Sequence, residues 1–103
     1  MNLSGEDLAT VAFLAKSLSD ENRLRILLSL NGGKKAVNRI VEELELSQPL
    51  VSHHLKELKR SLLVKVERQG PFIFYEMADR RIVDILKKIG LLGKELLANR
   101  KTF

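Results

Sequence analysis

Past Leu63 the apolar period of this chain drops from 3.6 residues to 2, and past Asp79 it returns to 3.6. Val64 and Val66 alternate with Lys65 and Glu67, the mark of a strand buried on one face. Gln69-Gly70-Pro71 interrupts the run, and Phe72-Ile73-Phe74-Tyr75-Glu76-Met77 makes the return strand. Pro71 fits at a strand start, where no ladder donor is required. One hairpin over 64–77, a wing, therefore sits inside an otherwise helical chain.

The helical part is punctuated by caps. Ser4 can cap a first helix over Gly5–Leu18, with Glu6 and Asp7 near its positive end and Leu8, Val11, Ala12, Ala15 and Leu18 as its stripe. Ser19 restarts the pattern as a second cap, Asp20 and Glu21 fill the first turn, and Leu24, Leu27 and Leu28 form the expected buried face. Asn31-Gly32-Gly33 stops that helix. A loop holding Lys34 and Lys35 leads to a short third helix, Val37–Glu45, with Val37, Ile40, Val41 and Leu44 inward. Leu46-Ser47 is a tight link to the fourth, so residues 37–60 read as a helix-turn-helix.

The fourth helix carries the chemistry. Ser47 is its N-cap and Pro49 sits in its first turn, where a missing N–H costs little. Val51, Leu55, Leu58 and Leu62 recur on one face. Gln48, Ser52, His53, Lys56, Lys59 and Arg60 occupy the other, and Glu57 is the only carboxylate in the segment. Such a row of donors suits a helix laid in a DNA major groove; an ordinary amphipathic surface helix is the alternative. Asp79 caps a last helix, Arg80–Ala98, striped by Ile82, Ile85, Leu86, Ile89, Leu92 and Leu96. Its Gly90 and Gly93 mark either a close approach of a neighbouring helix or a bend, at a cost of ~1 kcal/mol each relative to Ala.

Composition narrows the partners. At 103 residues there is room for one domain with a modest core, residues 1–103. A net charge of +5 suits a polyanion. With no cysteine there is no disulfide, thiolate ligand or thiol sensor. No apolar run approaches the ~18 residues of a membrane span. The acidic N-terminus is no secretory signal, so a cytoplasmic location without membrane contact is expected.

The expected fold is mainly α with a small β-hairpin: a winged helix-turn-helix in the order α1-α2-α3-α4-β1-β2-α5. The terminal helices, 1–18 and 79–103, carry more apolar surface than so small a domain covers, which points to self-association through Leu8, Val11, Leu18, Ile85, Ile89, Leu92 and Leu96. A twofold dimer presents its recognition helices about one DNA turn apart, roughly 34 Å, and so matches an inverted-repeat operator in double-stranded DNA.

Three ordered segments carry a resemblance. They are Leu18-Ser19-Asp20-Glu21-Asn22-Arg23-Leu24-Arg25-Ile26-Leu27, then Leu46-Ser47-Gln48 with Val51-Ser52-His53-His54-Leu55, then Arg68-Gln69-Gly70 followed by Phe74-Tyr75. Over Leu14–Lys88 the chain resembles the ArsR/SmtB group of repressors. The resemblance implies a homodimer that binds an operator and is released by an inducer. It makes Gln48, Ser52 and His53 base-reading or phosphate-positioning residues and places Arg68 and Gln69 at the wing contact. Lys56 and Lys59 are candidate phosphate contacts; Arg60 is either another or part of a solvated face. Pro49 and Pro71 stand where the family often has polar and basic residues, so one contact is missing and the wing grips less.

The family's metal sites do not map onto this chain. The cysteine pair of the third helix falls at Ala36 and Asn38, and the site on the last helix at Asp79, Arg81, Leu92 and Glu95. Two carboxylates without imidazole or thiolate do not suit zinc or nickel. His53 and His54, about 100° apart on a helix, do not face each other, and a hydrogen bond from His53 to Glu57 is the expected use of that pair. Ser52 beside His53 is no nucleophile–base pair, since nothing orients the histidine. The chain is thus expected to be no enzyme, to hold no cofactor or metal, and to answer to a non-metal signal, a small-molecule inducer of unspecified kind. A winged-helix protein-interaction module and an architectural DNA binder without sequence preference remain the alternatives.

Overall fold

The computed structural model describes residues 2–100. Its elements are α1 (Gly5–Ser17), α2 (Glu21–Ser29), α3 (Val37–Leu44), α4 (Gln48–Arg60), β1 (Val64–Gln69), β2 (Phe72–Met77) and α5 (Arg81–Ala98). That is the winged helix-turn-helix order expected. The cap chemistry explains most of the boundaries. Ser4 and Asp7 close a capping box at 2.9 and 3.0 Å, and Ser47 Oγ accepts from the Leu50 N–H at 3.3 Å. At α2 the expected cap is displaced by one residue. Asp20, not Ser19, accepts the Arg23 N–H at 2.9 Å, because Ser19 spends its hydroxyl on the Lys16 carbonyl at 2.7 Å. Asp79 behaves as expected by accepting the Arg81 N–H at 2.9 Å, although Arg80 is the formal cap.

The core lies where α2, α3 and α4 meet the start of β1: Ile26, Leu27, Leu30, Ile40, Val51, Leu55, Leu58, Leu63 and Val64 are buried. Three expectations about burial are corrected. Leu28 is 42% exposed, while Ile26 and Leu30 take the core side of α2 instead. Val66 is open to solvent, because only the first residue of β1 reaches the core. Leu62 does not continue the apolar face of α4; it is 77% exposed with φ 66°.

Leu62 has a clear local reason for that conformation. The Leu63 N–H reaches back to the Leu58 carbonyl at 3.0 Å and the Leu62 N–H to the Lys59 carbonyl at 3.1 Å. This is the paired closure that needs a left-handed residue just beyond the helix, usually glycine. A branched side chain costs about 1 kcal/mol there. Since Leu62 packs on little, Leu62→Gly is expected to stabilise the domain by about 0.5–1 kcal/mol, read as a higher urea midpoint at unchanged m.

β1 and β2 pair antiparallel with Val64 opposite Met77 and Gln69 opposite Phe72, leaving Gly70-Pro71 as a two-residue turn. Pro71 thus belongs to the turn, not to the strand start. Gly70 has φ 60°, as such a turn demands. Lys35 bridges the free edge of β2 by exchanging both backbone bonds with Tyr75, at 2.9 and 2.8 Å. The wing is thereby fastened to the loop before the helix-turn-helix. Among the described residues no helix is long and apolar enough to cross a membrane.

Candidate nucleic-acid interface

α4 is oriented by what it buries. Val51, His54, Leu55 and Leu58 face inward, so Gln48, Ser52, His53, Lys56, Lys59 and Arg60 are all left on its outer side and exposed. The helix enters through a turn in which Glu45 adopts a left-handed conformation, φ 54°, and the Arg25 guanidinium holds the Leu44 carbonyl at 3.1 Å. Both features lie in the turn that joins α3 to α4. Glu57, the one carboxylate of the segment, turns to Arg60 at 3.3 Å. His53 therefore does not engage Glu57 as the sequence suggests. No ion pair among the described residues restrains Lys56 or Lys59, so both side chains are available to a polyanion.

His54 is the residue that sequence reasoning missed. It is 4% exposed, with its Nδ1 accepting from Arg23 Nε at 3.4 Å and its Nε2 3.5 Å from Asp20 Oδ1. Arg23 also donates to the Ser17 carbonyl at 3.1 Å, so one side chain ties the end of α1 and the start of α2 to the middle of α4. Burial holds the imidazole pKa below its ordinary 6.5; Asp20 opposes this and Arg23 reinforces it. The unfolded chain then binds a proton more readily than the folded one, so stability rises with pH through this window. The contribution is complete above about pH 6.5 and is lost as the pH falls towards the depressed folded value. Urea midpoints at pH 7.5 and 5.5 should therefore differ, and His54→Gln should narrow that difference.

The wing presents two faces. Arg68 lies opposite Ile73, Gln69 opposite Phe72, and adjacent strand residues point to opposite sides. Arg68 and Gln69 therefore leave the wing from opposite faces. Gln69 shares its face with Glu67, to which its amide donates at 3.2 Å, and with Lys34, which pairs with Glu67 at 2.7 Å. Arg68 has no ion pair among the described residues. Phe72 stands 62% exposed beside the tip, an apolar neighbour to the candidate contacts that alternation alone did not single out.

Of the two carboxylates Asp79 and Glu95, Asp79 is already engaged within the chain. Arg81 grips Asp79 through Nη2 at 2.8 Å and Nε at 3.1 Å, and that grip lowers the Asp79 pKa to about 2. A metal ion at Asp79 would have to displace a guanidinium held by three hydrogen bonds. Among the described residues no group of three or more His, Cys, Asp or Glu side chains converges.

Comparison with known proteins agrees with this geometry. Residues 20–66, from the cap of α2 into β1, match the model of the bacterial regulatory protein, arsR family. The HTH-type transcriptional regulator MJ1325 of Methanocaldococcus jannaschii is 38% identical over 79 residues, which is 76% of this chain and 89% of that one. The HTH-type transcriptional repressor SmtB of Mycobacterium tuberculosis is 37% identical over 73 residues, 71% of this chain but only 54% of its own length. The homodimeric winged helix-turn-helix DNA-binding domain of Mb0332 from Mycobacterium bovis superposes with a TM-score of 0.76 at 26% identity, covering 99% of this chain and 97% of that one. With its motif segments, helix order and wing all in place, the chain belongs to the ArsR family of winged helix-turn-helix transcriptional regulators.

Proposed function

We propose that the chain is a homodimeric repressor that reads an inverted-repeat operator with α4 and releases it on a non-metal signal. The observation that carries this reading is the outer side of α4, where Gln48, Ser52, His53, Lys56 and Lys59 stand exposed together with no free carboxylate among them. Gln48 suits adenine, Ser52 and His53 serve base or phosphate, and the two lysines serve phosphates. Arg68 reaches the flanking minor groove or its phosphates.

The second copy is required by the apolar surface left over. Leu8 and Val11 of α1 and Ile85, Ile89, Leu92 and Leu96 of α5 are all more than half exposed, and Leu18 packs partly on the core. Between them runs a groove of about 670 Å³ lined by Val11, Leu14, Leu18, Leu24, Leu28, Ile85 and Ile89. A radius of gyration of 15.8 Å, against the ~13 Å of a compact chain this long, reflects the same unpartnered helices. Two such faces related by a twofold axis cover each other and set the α4 helices one DNA turn apart.

The test is a titration of the purified protein against DNA from upstream of its own gene, with scrambled competitor, with chelator and with added zinc. Specific binding indifferent to metal is expected. With Lys56, Lys59 and Arg68 from both protomers on phosphates, log K should fall with log salt at a slope of about −5. Release by zinc would overturn the non-metal signal, and equal affinity for scrambled DNA would favour an architectural binder or an interaction module.

A further inference from the structure

We propose that a second, polar pocket, on the side of α1 away from the apolar stripe, is the effector site of this regulator and takes a small amphiphilic carboxylate. The pocket, of about 370 Å³, lies between the end of α1, the start of α2 and the last turns of α4. That volume lies at the small end of the range usual for small-molecule pockets. Its lining is specific in chemistry. Three cations, Lys16, Arg23 and Arg60, face it with a single carboxylate, Glu57. Glu57 already meets one nitrogen of Arg60 at 3.3 Å, and that guanidinium has no other ion pair among the described residues. Lys16 has no ion pair among the described residues, and Arg23 is steadied by the Ser17 carbonyl at 3.1 Å. The floor is a buried hydroxyl pair, Ser17 Oγ and Ser61 Oγ, 2.8 Å apart.

Phe13 supplies the apolar wall. Leu8, Val11, Ala15 and Leu18 fall on one side of α1 at helical spacing, and Phe13 falls on the other, 51% exposed. The expected dimer face therefore gives it no cover. An aromatic ring against a cationic cluster matches a ligand with an apolar body and one negative head, because the head gains charge-assisted bonds and the body covers the ring.

The pocket also touches the candidate reading helix. Arg60 and Glu57 belong to the last turns of α4, so an anion that draws Arg60 inward lowers the positive charge of the helix that carries Lys56 and Lys59. Occupancy thereby weakens DNA binding. That consequence rests on the repressor reading given above, whereas the site itself does not.

Phenylacetate, with phenylacetamide as the neutral control, tests both. The full chain, isotope-labelled, is titrated with each while the amide resonances of Ser17, Arg23 and Ser61 are followed. Phenylacetate is expected to shift them saturably and to bind at least about tenfold tighter than the amide. Lys16→Ala and Phe13→Ala, both at exposed positions, should each weaken phenylacetate binding by roughly five- to tenfold. Saturating phenylacetate should raise the Kd for DNA severalfold in the parent protein and not in Lys16→Ala. Equal binding of acid and amide, unchanged affinity in both variants, or no movement at tens of millimolar phenylacetate would overturn the site. So would variants that bind no phenylacetate differently but lose DNA affinity directly, since the cations would then belong to the DNA footprint. Phenylacetate binding as described in a protein that prefers no DNA sequence would uphold the site and remove the repressor reading.

Discussion

Replacing Ser52 and His53 together by alanine is expected to lower affinity for the operator by on the order of 10²–10³-fold, while affinity for scrambled DNA changes little. Both side chains are exposed on α4, so their removal leaves no cavity and no buried orphan group. Alanine is also the better helix former, so α4 should not fray. What disappears is the discriminating part of the interface, each good base contact being worth ~1–3 kcal/mol. Lys56, Lys59 and Arg68 remain, and with them the salt-dependent binding that ignores sequence. Fluorescence anisotropy on operator and scrambled duplexes, beside sedimentation of the free protein, separates these effects. A double variant that still held its operator at parental affinity would show that α4 is not the reading helix.

The second large effect is expected at the proposed dimer face. Ile89 sits in the α1–α5 groove and is 56% exposed in the single chain, so Ile89→Asp should cost the isolated fold little. In a twofold dimer it places an unpaired carboxylate from each protomer against apolar surface, at a cost of several kcal/mol. The dimer dissociation constant should rise more than about 100-fold, and operator affinity should fall with it because each monomer meets one half-site. Sedimentation velocity at micromolar concentration reads the first effect, and circular dichroism checks that the helices persist. A variant that remained dimeric would place the interface elsewhere.

How far the residues alone announced all this depends on how local each feature is. The Ser4 cap, the Ser47 cap, the stop at Asn31-Gly32-Gly33 and the change of period at Val64 are governed by neighbours a few positions away, and each is in place. The exposed side of α4 is legible for the same reason, since Val51, Leu55 and Leu58 leave only one direction for Ser52 and Lys56. The family segments add order and spacing to that local grammar.

Other features needed the packed chain. α2 carries Leu24, Ile26, Leu27 and Leu28 within five positions, more apolar residues than one face holds, followed at once by Leu30. Which of them is core is set by α3 and α4 on one side, which take Ile26, Leu27 and Leu30, and by the groove under α1 and α5 on the other, which takes Leu24 and Leu28. His54 reads as a polar neighbour of His53 until Arg23 and Asp20, more than thirty positions earlier, are brought beside it. The Ser17–Ser61 bond joins residues 44 positions apart, and no spacing rule announces it. The sequence by itself thus determined the elements, their caps and the exposed basic side of α4, because periodicity and capping act within a turn or two of chain. Only the tertiary structure decided which apolar residues became core, why one histidine is inside, and where the polar pocket formed, because those outcomes depend on contacts between segments far apart in sequence.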